Sequence, residues 1–224
     1  MTPMAQLFLA TVAFVATHFV PSMPLRAALS RALGERGYLG LYSAVAFATL
    51  GWMIWAYLRA PLEPLWPGLR LLPAVAMPFA LVLIACGVLS PNPTAVGQAK
   101  LLKAGEPARG ILRVTRHPVQ WGILLWAGAH VLARGDLKSV LFFGGFLVLS
   151  ALGTVLMDRR KEKTLGEDWA RFAAATSNLP FAAIARKRNR FDAGEIGWAK
   201  PLIGLAAYAA LFAAHPWLFG ARPW

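Results

Sequence analysis

Leu71-Leu72-Pro73-Ala74-Val75-Ala76-Met77-Pro78-Phe79-Ala80-Leu81-Val82-Leu83-Ile84-Ala85-Cys86-Gly87-Val88-Leu89 decides the fold. It opens a 29-residue run, 71–99, that contains no Asp, Glu, Lys or Arg. A helix rises 1.5 Å per residue, so about 20 apolar residues cross the hydrocarbon core of a bilayer. Five other charge-free runs, at 1–25, 37–58, 117–133, 139–157 and 201–221, hold 25, 22, 17, 19 and 21 residues. One recurring length through a chain of 224 residues predicts an all-α, polytopic membrane helix bundle: about six transmembrane helices in a single domain, 1–224. The chain is 58% hydrophobic and 15% charged, against roughly 25% charged in soluble domains, which excludes an ordinary soluble enzyme. Continuous rather than alternating apolarity excludes a membrane barrel. High hydrophobicity excludes disorder. The single Cys86, inside an apolar run, leaves no disulfide framework and no Cys-based zinc site.

The net charge of +13 raises nucleic acid as a partner. Membrane topology explains it better, because Lys and Arg concentrate in cytoplasmic connections. The first, third and fifth connections (26–36, 100–116, 158–200) hold 18 Lys and Arg, and the second, fourth and C-terminal segments hold 5. That split predicts cytoplasmic odd connections and both termini outside, with membrane lipid, not nucleic acid, as the surroundings. Met1–Gln6 carries no Lys or Arg, which lacks the n-region of a secretory signal and suits an outward-facing tail.

Local patterns refine the spans. Leu25, Leu29 and Leu33 on one stripe predict a short interfacial helix ended by Gly34. Pro61, Pro64 and Pro67 predict a stiff outer loop. The third connection carries Gly97, Gly105 and Gly110, and Pro118 suits the first position of span four. Arg134-Gly135-Asp136 reads as a tight outer turn, and the cytoplasmic segment 158–200 as a charged helix, Asp158–Ala175, followed by the basic stretch Arg186-Lys187-Arg188-Asn189-Arg190.

Four histidines carry most of the remaining information. His18 and His130 lie inside charge-free runs, and an ionisable group at membrane depth is a functional candidate because burying it unpartnered is costly. Thr11, His18 and Ser22 share one helical face, and Gly122, Trp126 and His130 share another. Two histidines on facing helices with a glycine and aromatic walls would suit haem b, with His18 and His130 as axial metal ligands. The alternative for each is a plain hydrogen bond to a backbone carbonyl or a hydroxyl. His117, beside Arg113 and Arg116 at a helix start, would suit a phosphate, a carboxylate or a haem propionate, or else be a solvated basic cap. His215 reads as an interfacial anchor. Glu35 with Arg36, and Asp158 and Glu162 with Arg159 and Lys163, read as surface pairs.

Several blocks together resemble one family. His18-Phe19-Val20-Pro21-Ser22, Leu33-Gly34-Glu35-Arg36-Gly37-Tyr38, Asn92-Pro93-Thr94, Thr115-Arg116-His117-Pro118, Ala129-His130 and Gly135-Asp136 are similar to the NnrU family of bacterial integral membrane proteins. That family is related to the plastid zeta-carotene isomerase, a haem b membrane enzyme that isomerises a carotenoid double bond. The resemblance implies axial ligation by His18 and His130, and either isomerisation of a lipid-soluble polyene or a role in nitrogen-oxide respiration (denitrification). Arg113, Arg116 and His117 would then be cofactor-binding. A fainter resemblance links Arg116-His117-Pro118 and Leu165-Gly166-Glu167-Asp168-Trp169-Ala170-Arg171-Phe172 to membrane methyltransferases of the isoprenylcysteine type. It implies S-adenosylmethionine bound near His117, Asp158 and Glu162. A third reading is a non-enzymatic assembly factor with a respiratory reductase as partner.

Overall fold

The computed structural model describes residues 1–95, 97–103 and 108–223, without the side chain of Ser22. Gly105 and the Ser22 side chain, both singled out above, therefore lie outside the described residues. Ten α-helices follow in order: α1 (Pro3–Phe19), α2 (Leu25–Arg59), α3 (Leu72–Leu89), α4 (Ile111–Val114), α5 (Pro118–Arg134), α6 (Leu137–Leu165), α7 (Glu167–Ala175), α8 (Ala182–Ala185), α9 (Ala193–Ile196) and α10 (Ala199–Phe219). Each of the six long ones is built on one of the six charge-free runs, and α2 and α6 extend beyond theirs into charged sequence. By length and apolarity α2, α3, α6 and α10 are long enough to span a membrane. The 17-residue helices α1 and α5 reach about 25 Å each, at the short end of the spanning range.

Local chemistry sets the helix ends. Thr2 caps α1 by accepting from Ala5 N–H, and Pro3 takes the first turn, where its missing N–H costs nothing. Within α2 only Gly34 leaves helical geometry, at φ 71° and ψ 164°, which separates the expected interfacial turn from the span. Arg26 and Glu35 pair across that break at 2.7 Å. Gly135 ends α5 in the left-handed region at φ 63°, and Asp136 caps α6 by accepting from Ser139 N–H at 2.9 Å. One expectation is corrected. The charged helix expected over Asp158–Ala175 is split: 158–165 continues α6 unbroken to Leu165, and only Glu167–Ala175, after Gly166 at φ 52°, is a helix of its own, α7.

The long helices form a row in the order α2, α1, α6, α5, α3, α10. Lipid is as apolar as leucine, so close packing rather than water exclusion must join them. Glycines permit it. A Cβ on Gly122 of α5 would lie 2.7 Å from the Ala80 carbonyl oxygen of α3, and one on Gly204 of α10 would lie 2.7 Å from Val82 Cα of α3. α10 buries only Gly204 against the protein. Its remaining apolar surface, with Phe47 of α2 (75% exposed) and Phe79 of α3 (65% exposed), faces outward, as a lipid-facing surface requires.

The connections gather at two ends. At one, Gly135 O accepts from Leu65 N–H and Trp66 N–H, Leu132 O from Leu69 N–H, and Glu63 O from Leu137 N–H. At the other, Arg160 donates to Pro21 O and Lys161 to Pro93 O. α1 lies parallel to α6, with Thr11 over Gly145 and Pro21 near Arg160. α10 lies antiparallel to α3, with Gly204 on Val82 and the Tyr208 hydroxyl on Ala74 O. Both termini therefore share the end of the second and fourth connections, and the Lys/Arg-rich first, third and fifth share the opposite, charged end.

Gly204→Ala should push α10 off the α3 backbone and cost about 1–3 kcal/mol, the range for overpacking a rigid contact. Thermal unfolding in detergent checks this against Gly40→Ala, where nothing lies within 4 Å of the added methyl and stability should hold or rise.

Candidate functional site

His18 and His130 flank α6 from its two sides, on α1 and α5. Each imidazole bonds through Nδ1 to the carbonyl four residues earlier in its own helix: His18 to Phe14 O at 2.7 Å and His130 to Trp126 O at 2.8 Å. A carbonyl only accepts, so Nδ1 carries the proton in both rings. In the neutral imidazole that leaves the lone pair on Nε2, the arrangement a metal-ligating histidine takes when its other nitrogen is held by a carbonyl. The hydrogen bonds foreseen as the plain alternative thus exist, and they stay within each helix.

Aromatic rings fill the space between the two imidazoles. His18 lies 4.3 Å from Phe14, Phe14 lies 5.2 Å from Phe146, Phe146 lies 5.0 Å from Trp126, and Trp126 lies 5.7 Å from His130 (ring centroids). His130 also stacks on Phe143 at 5.0 Å, and Tyr42 of α2 meets His18 edge-on at 5.9 Å. Read against α6, His18 sits a turn beyond Phe146 towards the charged end, and His130 sits at Phe143 on the other side. The offset is about 10 Å along the helix at 1.5 Å per residue. Two imidazoles on one iron need centroids roughly 6 Å apart, from metal–nitrogen bonds of about 2 Å. Each histidine by itself fits an axial ligand. Joint ligation of one iron requires the rings between them to part.

The charged end holds a second constellation. Arg116 at the start of α5 grips Asp158 of α6 with Nε at 2.9 Å and Nη2 at 2.7 Å, and His117 Nε2 meets the other carboxylate oxygen at 2.7 Å. Facing a guanidinium, Asp158 is an ionised acceptor, so Nε2 of His117 donates. His117 is 2% exposed, and its Nδ1 is buried with no partner among the described residues. Asn92, Pro93 and Thr94 form a turn beside it: Asn92 Oδ1 accepts from Thr94 N–H, and Thr94 Oγ1 donates to Arg116 O. Arg113 makes a similar grip on Glu195 of α9, Nε to Oε2 at 2.7 Å and Nη2 to Oε1 at 2.9 Å. These bonds, with one from Gly110 N–H, hold the Glu195 carboxyl down at about 2.

Three sequence readings change here. Arg113 and Arg116 grip carboxylates of this chain, Glu195 and Asp158, at the positions where a propionate or another anion was expected. His117 is no solvated cap: it is buried, and the carboxylate it meets is this chain's own Asp158. Asp158 is no surface pair, because α6 runs on unbroken and carries it into the loop that precedes α5. Glu162, the other acid of the methyltransferase reading, is exposed and distinct from this cluster. Sequence reading missed Glu195, which lies 82 residues from Arg113 with no local signal joining them. It also missed the α6 aromatics, although Phe142, Phe143 and Phe146 carry helical spacing.

Removing Asp158 strands the Arg116 charge and the second His117 nitrogen. Asp158→Ala should cost about 1.5–3 kcal/mol, the scale of lost charge-assisted hydrogen bonds, and chemical denaturation should show it. Glu195 gives the acid limb. Its folded carboxyl lies below the ordinary 4.5, so its stabilisation is present above that value and fades as pH falls towards about 2. Glu195→Gln should flatten that limb of a stability-against-pH curve.

Known proteins give this arrangement a context. The family pattern described as "NnrU protein" matches residues 6–223. The 15-cis-zeta-carotene isomerase of Arabidopsis thaliana chloroplasts is 38% identical over 80 residues, 36% of this chain and 22% of that protein. Its Zea mays counterpart is 36% identical over 81 residues, again 36% of this chain and 22% of the relative. The matched stretch is therefore about a fifth of each relative's length. No solved structure matches. With the family pattern running over nearly its whole length, and a row of apolar helices to carry it, the chain belongs to the NnrU protein family.

Proposed function

We propose that the protein is a membrane isomerase acting on a double bond of a lipid-soluble polyene, and that it carries haem b on His18 and His130 in a state where Phe14, Phe146 and Trp126 have parted to admit it. The observation that carries this reading is the shared geometry of the two histidines. Both tie Nδ1 to their own helix, keep Nε2 free for a metal, and flank one aromatic strip on α6. The partial relatives named as carotene isomerases support the substrate class.

Rotation about a conjugated double bond needs its π order lowered in the transition state, with charge or spin spread along the chain. Phe14, Phe146, Trp126 and Phe143 pack on one another, and once parted would give ring faces on which an apolar polyene stacks without hydrogen bonds. Their faces favour developing positive charge. Haem, when bound, supplies an iron that exchanges a single electron at this depth. The surrounding lipid and apolar helices keep water away from any such intermediate. We place the protein in the bacterial inner membrane with the Lys/Arg-rich connections in the cytoplasm.

Protein purified in mild detergent from haem-replete cells should show a Soret band, and His18→Ala and His130→Ala should each lower haem content at least tenfold. Haem-free wild-type protein, or full occupancy in both variants, sinks the cofactor assignment. The haem-loaded protein should convert 15-cis-zeta-carotene to another isomer on chromatography, and an unchanged isomer ratio overturns the substrate class. The topology predicts that Glu63→Cys is labelled from outside intact cells and Arg186→Cys only after permeabilisation. The native Cys86, fully buried, stays silent.

A further inference from the structure

The charged end contains a cavity of about 940 Å³ that the intramembrane histidines do not touch. Its described lining includes six cations, Lys103, Arg113, Arg171, Lys187, Arg188 and Arg190, against one carboxylate, Glu195. That carboxylate is already held by Arg113. Arg171 pairs with Asp168, and Arg188 donates to Ala173 O and Ala174 O at the end of α7. Lys103, Lys187 and Arg190 have no ion pair among the described residues. A solvated positive-inside surface would spread such charges apart. Here four chain segments fold them around one concavity.

The cavity is held in shape by its own backbone. Asn189 donates to both Arg113 O and Ala175 O, which ties the basic stretch to α4 and α7. Lys187 sits in the left-handed region at φ 56°, a conformation that persists in a non-glycine residue only where its surroundings fix it. Its N–H bonds Ile184 O, and that of Arg188 bonds Ala183 O. The cavity also adjoins exposed aromatics. Phe191 lines it and is 53% exposed, and Trp198, 80% exposed, stands just before α10. Exposed aromatics between a basic patch and a span mark the headgroup zone.

We infer that this cavity binds a phosphate-bearing anion at the cytoplasmic membrane surface. Guanidinium and ammonium groups from several segments, with Glu195 the one acid among the described lining residues and already held by Arg113, match a phosphate's charge and acceptor oxygens. The apolar share of the lining, Leu102, Ile184 and Phe191, accommodates the organic part. The same chemistry is offered by an anionic phospholipid headgroup and by a soluble diphosphate. The site is independent of haem and of isomerase activity.

The full chain in nanodiscs tests it. Native mass spectrometry compares retention of phosphatidylglycerol with phosphatidylcholine, and calorimetry measures inorganic pyrophosphate. The wild type should retain phosphatidylglycerol or bind pyrophosphate at least tenfold better than Lys103→Ala/Arg190→Ala. Arg31→Ala/Arg36→Ala removes the same charge from exposed positions and should stay within twofold of wild type. Lipid retained without competition by pyrophosphate assigns a headgroup, and displacement by pyrophosphate assigns a soluble ligand. Should the double variant not fold, Lys187→Gly removes a charge while relieving the strained backbone. No binding of either anion, or equal loss in the exposed control, overturns the inference.

Discussion

Hydrocarbon cannot hydrogen-bond a peptide group, and everything else in this molecule follows from that constraint. Each apolar run must satisfy its own backbone and so becomes a helix, while charged side chains are driven to the two ends. Proline is tolerated where its missing N–H is harmless, as at Pro3 and Pro118. Between helices there is no water left to expel. The contacts of α3 with α5 and α10 therefore rest on glycines that let backbones approach, with Gly122 and Gly204 each leaving no room for a methyl group.

The same constraint explains the contrast between the two ends. At the end that carries the termini, loops are held by backbone bonds around Gly135 and by Asp136 capping α6. At the charged end, long cationic side chains must be neutralised or solvated, and the fold uses them as clamps. Arg116 with His117 fixes α5 to α6 through Asp158, and Arg113 fixes α4 to α9 through Glu195. These clamps consume the residues that could have held an anion near the spans. Lys103, Lys187 and Arg190, without an ion pair among the described residues, lie further out, around the cavity that Asn189 ties together.

At membrane depth the polar inventory is small, which gives His18 and His130 their weight. Their Nδ1 bonds remove the cost of an orphaned donor and choose the tautomer at the same time. What surrounds them is aromatic rather than polar, a setting of ring-on-ring packing.

Much of the fold was legible in the residues. Runs such as 71–99 located the helices, the Lys and Arg distribution separated the ends, and Gly34, Gly135 and Pro118 marked boundaries, because backbone satisfaction, charge desolvation and dihedral sterics all act locally. The two intramembrane histidines were legible for the same reason. Other features were not. The joining of 158–165 to α6, the burial of His117, the capture of Asp158 and Glu195 by arginines far away in sequence, and the aromatic layer between His18 and His130 depend on which helices lie side by side. The sequence by itself determined which segments enter the membrane and which polar groups go with them. Only the tertiary structure decided which charges meet and how far apart the histidines stand, because packing between distant segments, set by where glycines allow contact, carries no local signal.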